Sequence, residues 1–150
     1  RPRCSERTSS TAISSRCPEM PGLMPGQEGM HTFEVRAEHL ATAWDNNLPV
    51  LATPIVLWWT ELVAMWLMDP TLEPGQMTVG AGHDQVRHAA PTGLGQHVTV
   101  RAECLESQSR QVVFRVVAED AAGPIYEGIH SRGVIDRERM LAALERRSTA

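Results

Sequence analysis

Three observations predict an α+β protein, an antiparallel sheet of about five strands wrapped around one long buried helix, with a second helix at the C-terminal end. The first is an apolar run, TPIVLWWTELVAMWLM, over residues 53 to 68. The second is the series of segments that follows it: Met77 to Arg87, His97 to Glu106, Gln111 to Glu119 and Tyr126 to Ile135. The third is that helical and extended patterns do not alternate and no GxGxxG loop is present, which disfavours a doubly wound parallel sheet.

The 150 residues fit one domain. Residues 1 to 25 are rich in Ser, Thr, Arg and Pro without helical or strand periodicity, so they are expected to stay outside the fold as a disordered extension. They hold no apolar stretch of the kind a secretory signal needs, and Met20 or Met24 would be a natural start. The expected domain covers residues 26 to 147. It opens on a strand around HTFEV and a short helical or irregular stretch from Leu40 to Asn47.

The run at 53 to 68 starts with Thr53, suited to an N-cap, and Pro54, suited to a first helical position. It is apolar on nearly all sides, so Trp58, Trp59 and Trp66 are expected in the core, and it is too short for a membrane span. DPTLEPG then supplies stop signals. Alternation is clearest in Val98, Val100, Ala102 and Cys104 and in Val112, Phe114 and Val116, which predicts meander strands with one face on a core. DRERMLAALERR closes the chain as a surface helix, with Asp136 as N-cap, Glu138 near its positive end and arginines near its negative end.

Charge and cysteine content exclude several functions. A net charge of −4 provides no basic field for nucleic acid. All cationic residues are arginines, which removes lysine Schiff-base chemistry and a Walker-type phosphate loop. Cys4, Cys17 and Cys104 form neither a disulfide framework nor a zinc knuckle, and they point to a reducing, cytoplasmic setting.

Glu61 is the one charged side chain between Asn47 and Asp69, and it falls mid-helix among Trp58, Trp59, Leu62 and Trp66. A carboxylate buried without partners costs several kcal/mol, so Glu61 must keep its proton or find a partner, and perturbed acids cluster at active sites. Thr53 lies eight residues earlier, about 12 Å along a continuous helix. If both act on one substrate, the first turn is not helical, or a third group or second protomer closes the gap. His88 ends a predicted strand where a side chain can enter a cleft. Gly80 and Gly82 break a strand pattern, as at a bulge or a close approach to ligand. Arg87, Arg101 and Arg132 are candidate phosphate partners. His83, Asp84 and His88 are the nearest approach to a metal-ligand set, but no HExxH or tight cluster is present, and no metal is expected.

LPVLATP, Glu61 in the helix, TVGAG, VRHAAPTGLG, VTVRAECLE and GIHSRGVIDRERM together resemble the fluoroacetyl-CoA thioesterase-like branch of the hotdog superfamily. The resemblance covers roughly Gly22 to Arg146. It implies a sheet wrapped around a central helix, a homodimer or higher assembly with active sites at the subunit interface, and hydrolysis of an acyl-CoA thioester without metal or cofactor. It also implies roles: Glu61 as nucleophile or general base, His88 activating water or protonating the thiolate, Thr53 orienting the carboxylate or carbonyl, and Gly80 or Gly82 offering backbone near the acyl group. HLATAWDNNLPV differs from the family's aromatic gate, so the expected substrate is a short or medium acyl-CoA rather than fluoroacetyl-CoA in particular. Two alternatives stand beside it: a hotdog protein that binds acyl-CoA without cleaving it, and an enoyl-CoA hydratase, against which WDNNLPV lacks the needed histidine.

Overall fold

The computed structural model describes residues 22–149. Its elements run β1 (Glu28–Glu34), α1 (Thr53–Met68), β2 (Gln76–His88), β3 (His97–Gln108), β4 (Gln111–Asp120), β5 (Gly123–Asp136) and α2 (Arg137–Ser148), with short 3-10 turns at Ala37–His39, Ala41–Trp44 and Asp69–Thr71. The strands form one antiparallel sheet in the order β1-β3-β4-β5-β2. The tight β3–β4 and β4–β5 connections make the centre a meander, and the two strands nearest α1 in sequence, β1 and β2, become the edges.

Strand periodicity decides which face meets the helix. Val98, Val100, Ala102 and Cys104 on β3 and Val112, Phe114, Val116 and Ala118 on β4 all turn inward and are buried. Against them α1 packs Ile55, Val56, Trp59, Val63, Ala64 and Met68. Trp59 stacks on Phe33 of β1 with ring centroids 4.6 Å apart. The helix is therefore cradled as expected, but on one side only. Trp58 and Trp66, expected in the core, are 48% and 42% exposed, because the sheet of one chain does not reach the far side of α1.

The ends depart from expectation in one place and agree in another. The domain boundary expected at residue 26 leaves out Leu23, which is buried in the core, and Gly26 N–H donates to the Cys104 carbonyl at 2.8 Å. Residues 1–21, with Cys4, Cys17 and Met20, lie outside the described residues. Asp136 caps α2 by accepting from the Arg139 backbone N–H at 2.9 Å, and no residue of that helix is buried. Among the described residues, no helix is long and apolar enough to cross a membrane.

β2 is the irregular strand, and its irregularity sets the site. Its pairing with β5 slips between Gly80 and Gly82 and again between Asp84 and Arg87, where Gln85 has φ 52°. Such bulges insert an extra residue and re-aim the side chains after it, and an edge strand tolerates them.

Candidate active site

Thr53 does not cap α1. The preceding chain stays extended through Ala52, because Leu51 N–H donates to the Thr92 carbonyl at 2.8 Å and Ala52 N–H to the His39 carbonyl at 2.9 Å. Ala52 becomes the N-cap without a side-chain bond, and Thr53 is the first helical residue. Its hydroxyl is free to meet His88, and Thr53 Oγ1 lies 2.8 Å from His88 Nδ1. His88 reaches this point as the last residue of β2, opposite Tyr126 of β5. Burial holds its imidazole below the ordinary histidine range, so the ring is neutral near pH 7. Its Nε2 is buried and has no partner among the described residues. The pair borders a cleft of about 500 Å³ lined by Trp44, Val50, Thr53, Pro54, His88 and Pro91, within the range of small-molecule sites.

Glu61 sits two turns further along α1 in different surroundings. His83 Nε2–H donates to Glu61 Oε1 at 2.8 Å, and Arg132 Nη1 lies 3.4 Å from Oε2. Burial pushes the carboxyl up, but the His83 hydrogen bond and the Arg132 guanidinium outweigh it, so the group stays below its ordinary value and is ionised at neutral pH. The sequence left two outcomes for this acid, and the second holds: a partner is supplied. The side chain remains 31% exposed, so the ion pair does not seal it.

β5 builds the floor beneath that carboxylate. His130 and Arg132 point inward from alternate positions, at 0% and 3% exposure. His130 Nδ1–H donates to the Gly82 carbonyl at 3.0 Å, and burial pushes the ring down to about 4, so it is neutral, with Nε2 accepting from Arg132 Nη1 at 3.3 Å. Arg132 also donates from Nε to Thr78 Oγ1 and from Nη2 to the Thr78 carbonyl, both at 3.1 Å. These bonds turn the Arg132 guanidinium, expected as a phosphate partner, toward Glu61, His130 and Thr78 beneath the surface. Arg101 pairs with Glu28 at 3.4 Å on the surface.

The glycine alternatives separate. A Cβ on Gly80 would stand 2.9 Å from Glu61 Oε1 and 3.1 Å from Oε2, so Gly80 is the residue against which the carboxylate lies. Gly82 faces Ser131 Oγ and supplies the carbonyl that fixes His130. Thus one chain joins Thr53 to His88 and Glu61 to His83, Arg132 and Gly80, without bringing all three expected catalytic groups into direct contact. The first turn of α1 is helical, which removes one of the three ways of closing the gap. Sequence reasoning weighed His83 only as a metal ligand beside Asp84 and His88 and gave His130 no role, because their inward direction depends on the β2 bulges and on cross-strand pairing.

His83, Asp84 and His88 do not gather. A different trio, Glu61, His83 and His130, places ligand-type atoms within 4.8 Å of one another. The two imidazoles stack at 4.3 Å with planes 18° apart, so their in-plane lone pairs run side by side instead of converging, and Arg132 Nη1 faces His130 Nε2. With His83 Nε2–H given to Glu61 and His130 Nε2 facing Arg132, the trio forms a hydrogen-bonded ion cluster.

Known proteins extend this picture. Residues 35–138 match the family model described as fluoroacetyl-CoA-specific thioesterase. Fluoroacetyl-CoA thioesterase of Streptantibioticus cattleyicolor is 35% identical over 136 residues, covering 86% of this chain and 97% of the relative. A solved structure of the fluoroacetyl-CoA thioesterase is similar with TM-score 0.77 at 30% identity, covering 83% of this chain and 97% of that one. A hot-dog-like protein from Thermanaerovibrio acidaminovorans shares the fold with TM-score 0.76 at 23% identity, over 82% and 91% of the two chains. By sequence and by the hotdog arrangement of sheet and helix, the chain belongs to the fluoroacetyl-CoA-specific thioesterase family.

Proposed function

We propose that this thioester hydrolase cleaves a short or medium acyl-CoA at a metal-free site completed by two subunits, with Glu61 of one chain acting opposite Thr53 and His88 of the other. The observation that carries the reading is the division within one chain. A neutral histidine with an unpartnered Nε2 borders a cleft, while an ionised carboxylate stands two turns along the same helix. The uncovered face of α1, with Trp58 and Trp66, and the free edge of β2 are surfaces a second copy would cover.

Chemically, the parts suffice. Either water attacks the thioester carbonyl carbon directly, or the Glu61 carboxylate attacks it to form a mixed anhydride that water then hydrolyses; in both cases the C–S bond breaks, CoA leaves as a thiolate and the acyl group leaves as a carboxylic acid. Glu61 is ionised and so competent as nucleophile or base. His88 Nε2 accepts a proton from water and returns it to the thiolate, while Thr53 Oγ1 holds the other ring nitrogen. No cofactor takes part, and coenzyme A enters only with the substrate. The reading keeps the protein in a reducing cytoplasm, where the buried Cys104 thiol stays free.

The test is thiol release from an acyl-CoA panel. Glu61→Gln and His88→Ala are each expected to lower kcat/KM by about 10³-fold. Mixing the two inactive variants under conditions that reassort subunits should restore one site per mixed dimer, about a quarter of wild-type activity. Absence of recovery overturns the shared site. Tight acyl-CoA binding without turnover favours a binding protein instead, and hydration of enoyl-CoA favours a hydratase.

A further inference from the structure

We infer that His83 is a positioning residue of this site, clamping Glu61 through Oε1 so that Oε2 is the reacting oxygen; the inference rests on the reading of Glu61 as the reacting carboxylate. The contacts are unequal. His83 reaches Oε1 at 2.8 Å, whereas Arg132 approaches Oε2 at a looser 3.4 Å. With Gly80 leaving no side chain beneath it, the carboxylate lies flat on β2 and is gripped most closely at Oε1.

The backbone is built to deliver this imidazole. Thr78 and Gly80 both face α1, paired with Val134 and Arg132 of β5. Continued alternation by twos would point Gly82 and then Asp84 inward, setting a second carboxylate beside Glu61. The slip between Gly80 and Gly82 changes the parity, so His83 pairs with His130 and turns in. The second slip, with Gln85 at φ 52°, lies between His83 and the resumption of regular pairing at Arg87 and His88. Two irregularities thus flank the residue, a costly arrangement for a histidine with only a packing role.

The ring is also fixed in orientation. It stacks on His130 at 4.3 Å, and His130 is itself held by the Gly82 carbonyl. His83 Nδ1 is buried without a partner among the described residues, so the polar function of the ring is directed to Glu61 alone. The groups facing that carboxylate are His83 from β2 and His130 and Arg132 from β5, with Asp69 beyond acting on Arg132. His130 is neutral across the working range, which leaves His83 as the hydrogen-bond donor with the most direct hold.

Three variants separate positioning from packing. His83→Gln keeps an N–H donor at about the reach of Nε2; His83→Asn is polar but too short; His83→Leu fills the space without a donor. For His83→Leu and His83→Asn, the acid limb of kcat/KM should move up by about one pH unit and kcat should fall about 30-fold with KM little changed, since the carboxylate loses the donor that favours its ionised form. His83→Gln should restore both. NMR titration of the Glu61 side-chain carboxyl in full-length protein should report the same upward move without any substrate, so the inference remains testable even if the acyl-CoA panel shows no hydrolysis. An unmoved acid limb and an unmoved titration in both His83→Leu and His83→Asn overturn it, as does equal impairment in all three variants.

Discussion

The two stretches of α1 that carry Thr53 and Glu61 solve different physical problems. At its first residue, Thr53 and His88 form a neutral, hydrogen-bonded pair beside an open cleft, with one ring nitrogen left over. Two turns on, Glu61 sits in a charge-balanced cluster whose other members, Arg132 and His130, are almost sealed. A neutral pair is readily left half-satisfied beside a cleft, because an unmet imidazole nitrogen costs little compared with an unmet charge. The carboxylate tolerates no such neglect, and three strand residues and a glycine are committed to it. The lesson is a division of labour: under the proposed reading, the cluster is where stability and reactivity are coupled, and the cleft is where chemistry changes with little effect on the fold.

That contrast breaks first at Arg132. Arg132→Leu should strip the cluster of its cation and leave Glu61 and Thr78 short of donors, lowering unfolding free energy by about 3 kcal/mol, read from urea midpoints. Acid should probe the same region next. His130 is pushed down to about 4 in the folded chain from an ordinary 6.5, so the unfolded chain binds a proton that the native one refuses. Its effect on stability is nil above about pH 6.5, grows as pH falls, and is complete near pH 4, at about 3 kcal/mol at most. Glu61, whose folded value is depressed, adds a further loss as pH falls through that lowered value. Denaturant midpoints measured between pH 8 and 4 should therefore fall in acid, and a flat profile from pH 6.5 to 4 would contradict the sealed, neutral His130.

Smaller effects sharpen the comparison. Gly80→Ala places a Cβ 2.9 Å from Glu61 Oε1, so the carboxylate must shift, and kcat should drop by about 100-fold, since displacements of about 1 Å cost that much. Least costly should be Thr53→Val. Because Ala52, not Thr53, caps α1, stability should stay within about 0.5 kcal/mol, while kcat falls about tenfold and Thr53→Ser recovers most of it. A loss near 1 kcal/mol in Thr53→Val, the usual cost of a lost cap, would return Thr53 to that role.

Much of the architecture was legible because it follows from periodicity. The helix occupies residues 53 to 68 as its pattern predicts, and the four later strands each contain their predicted segment, extended by one to three residues at most of their ends. Asp136 caps α2 as its side chain and position require. Glu61 stood out for a thermodynamic reason, since a lone acid in an apolar helix demands an explanation. Parity was not legible: whether His83 or Asp84 faces inward depends on a single inserted residue in β2. Nor was the exposure of Trp58 and Trp66, which depends on how far one sheet can wrap.

What the sequence determined by itself is what short-range physics dictates: which segments are helix or strand, which faces are apolar, and which side chain is out of place. The tertiary structure decided partners. Thr53 meets His88 across 35 positions and Glu61 meets Arg132 across 71, through a sheet whose register and bulges only folding sets. Local propensity acts along the chain within a turn or a strand, whereas a hydrogen bond between distant residues exists only once the core between them has packed.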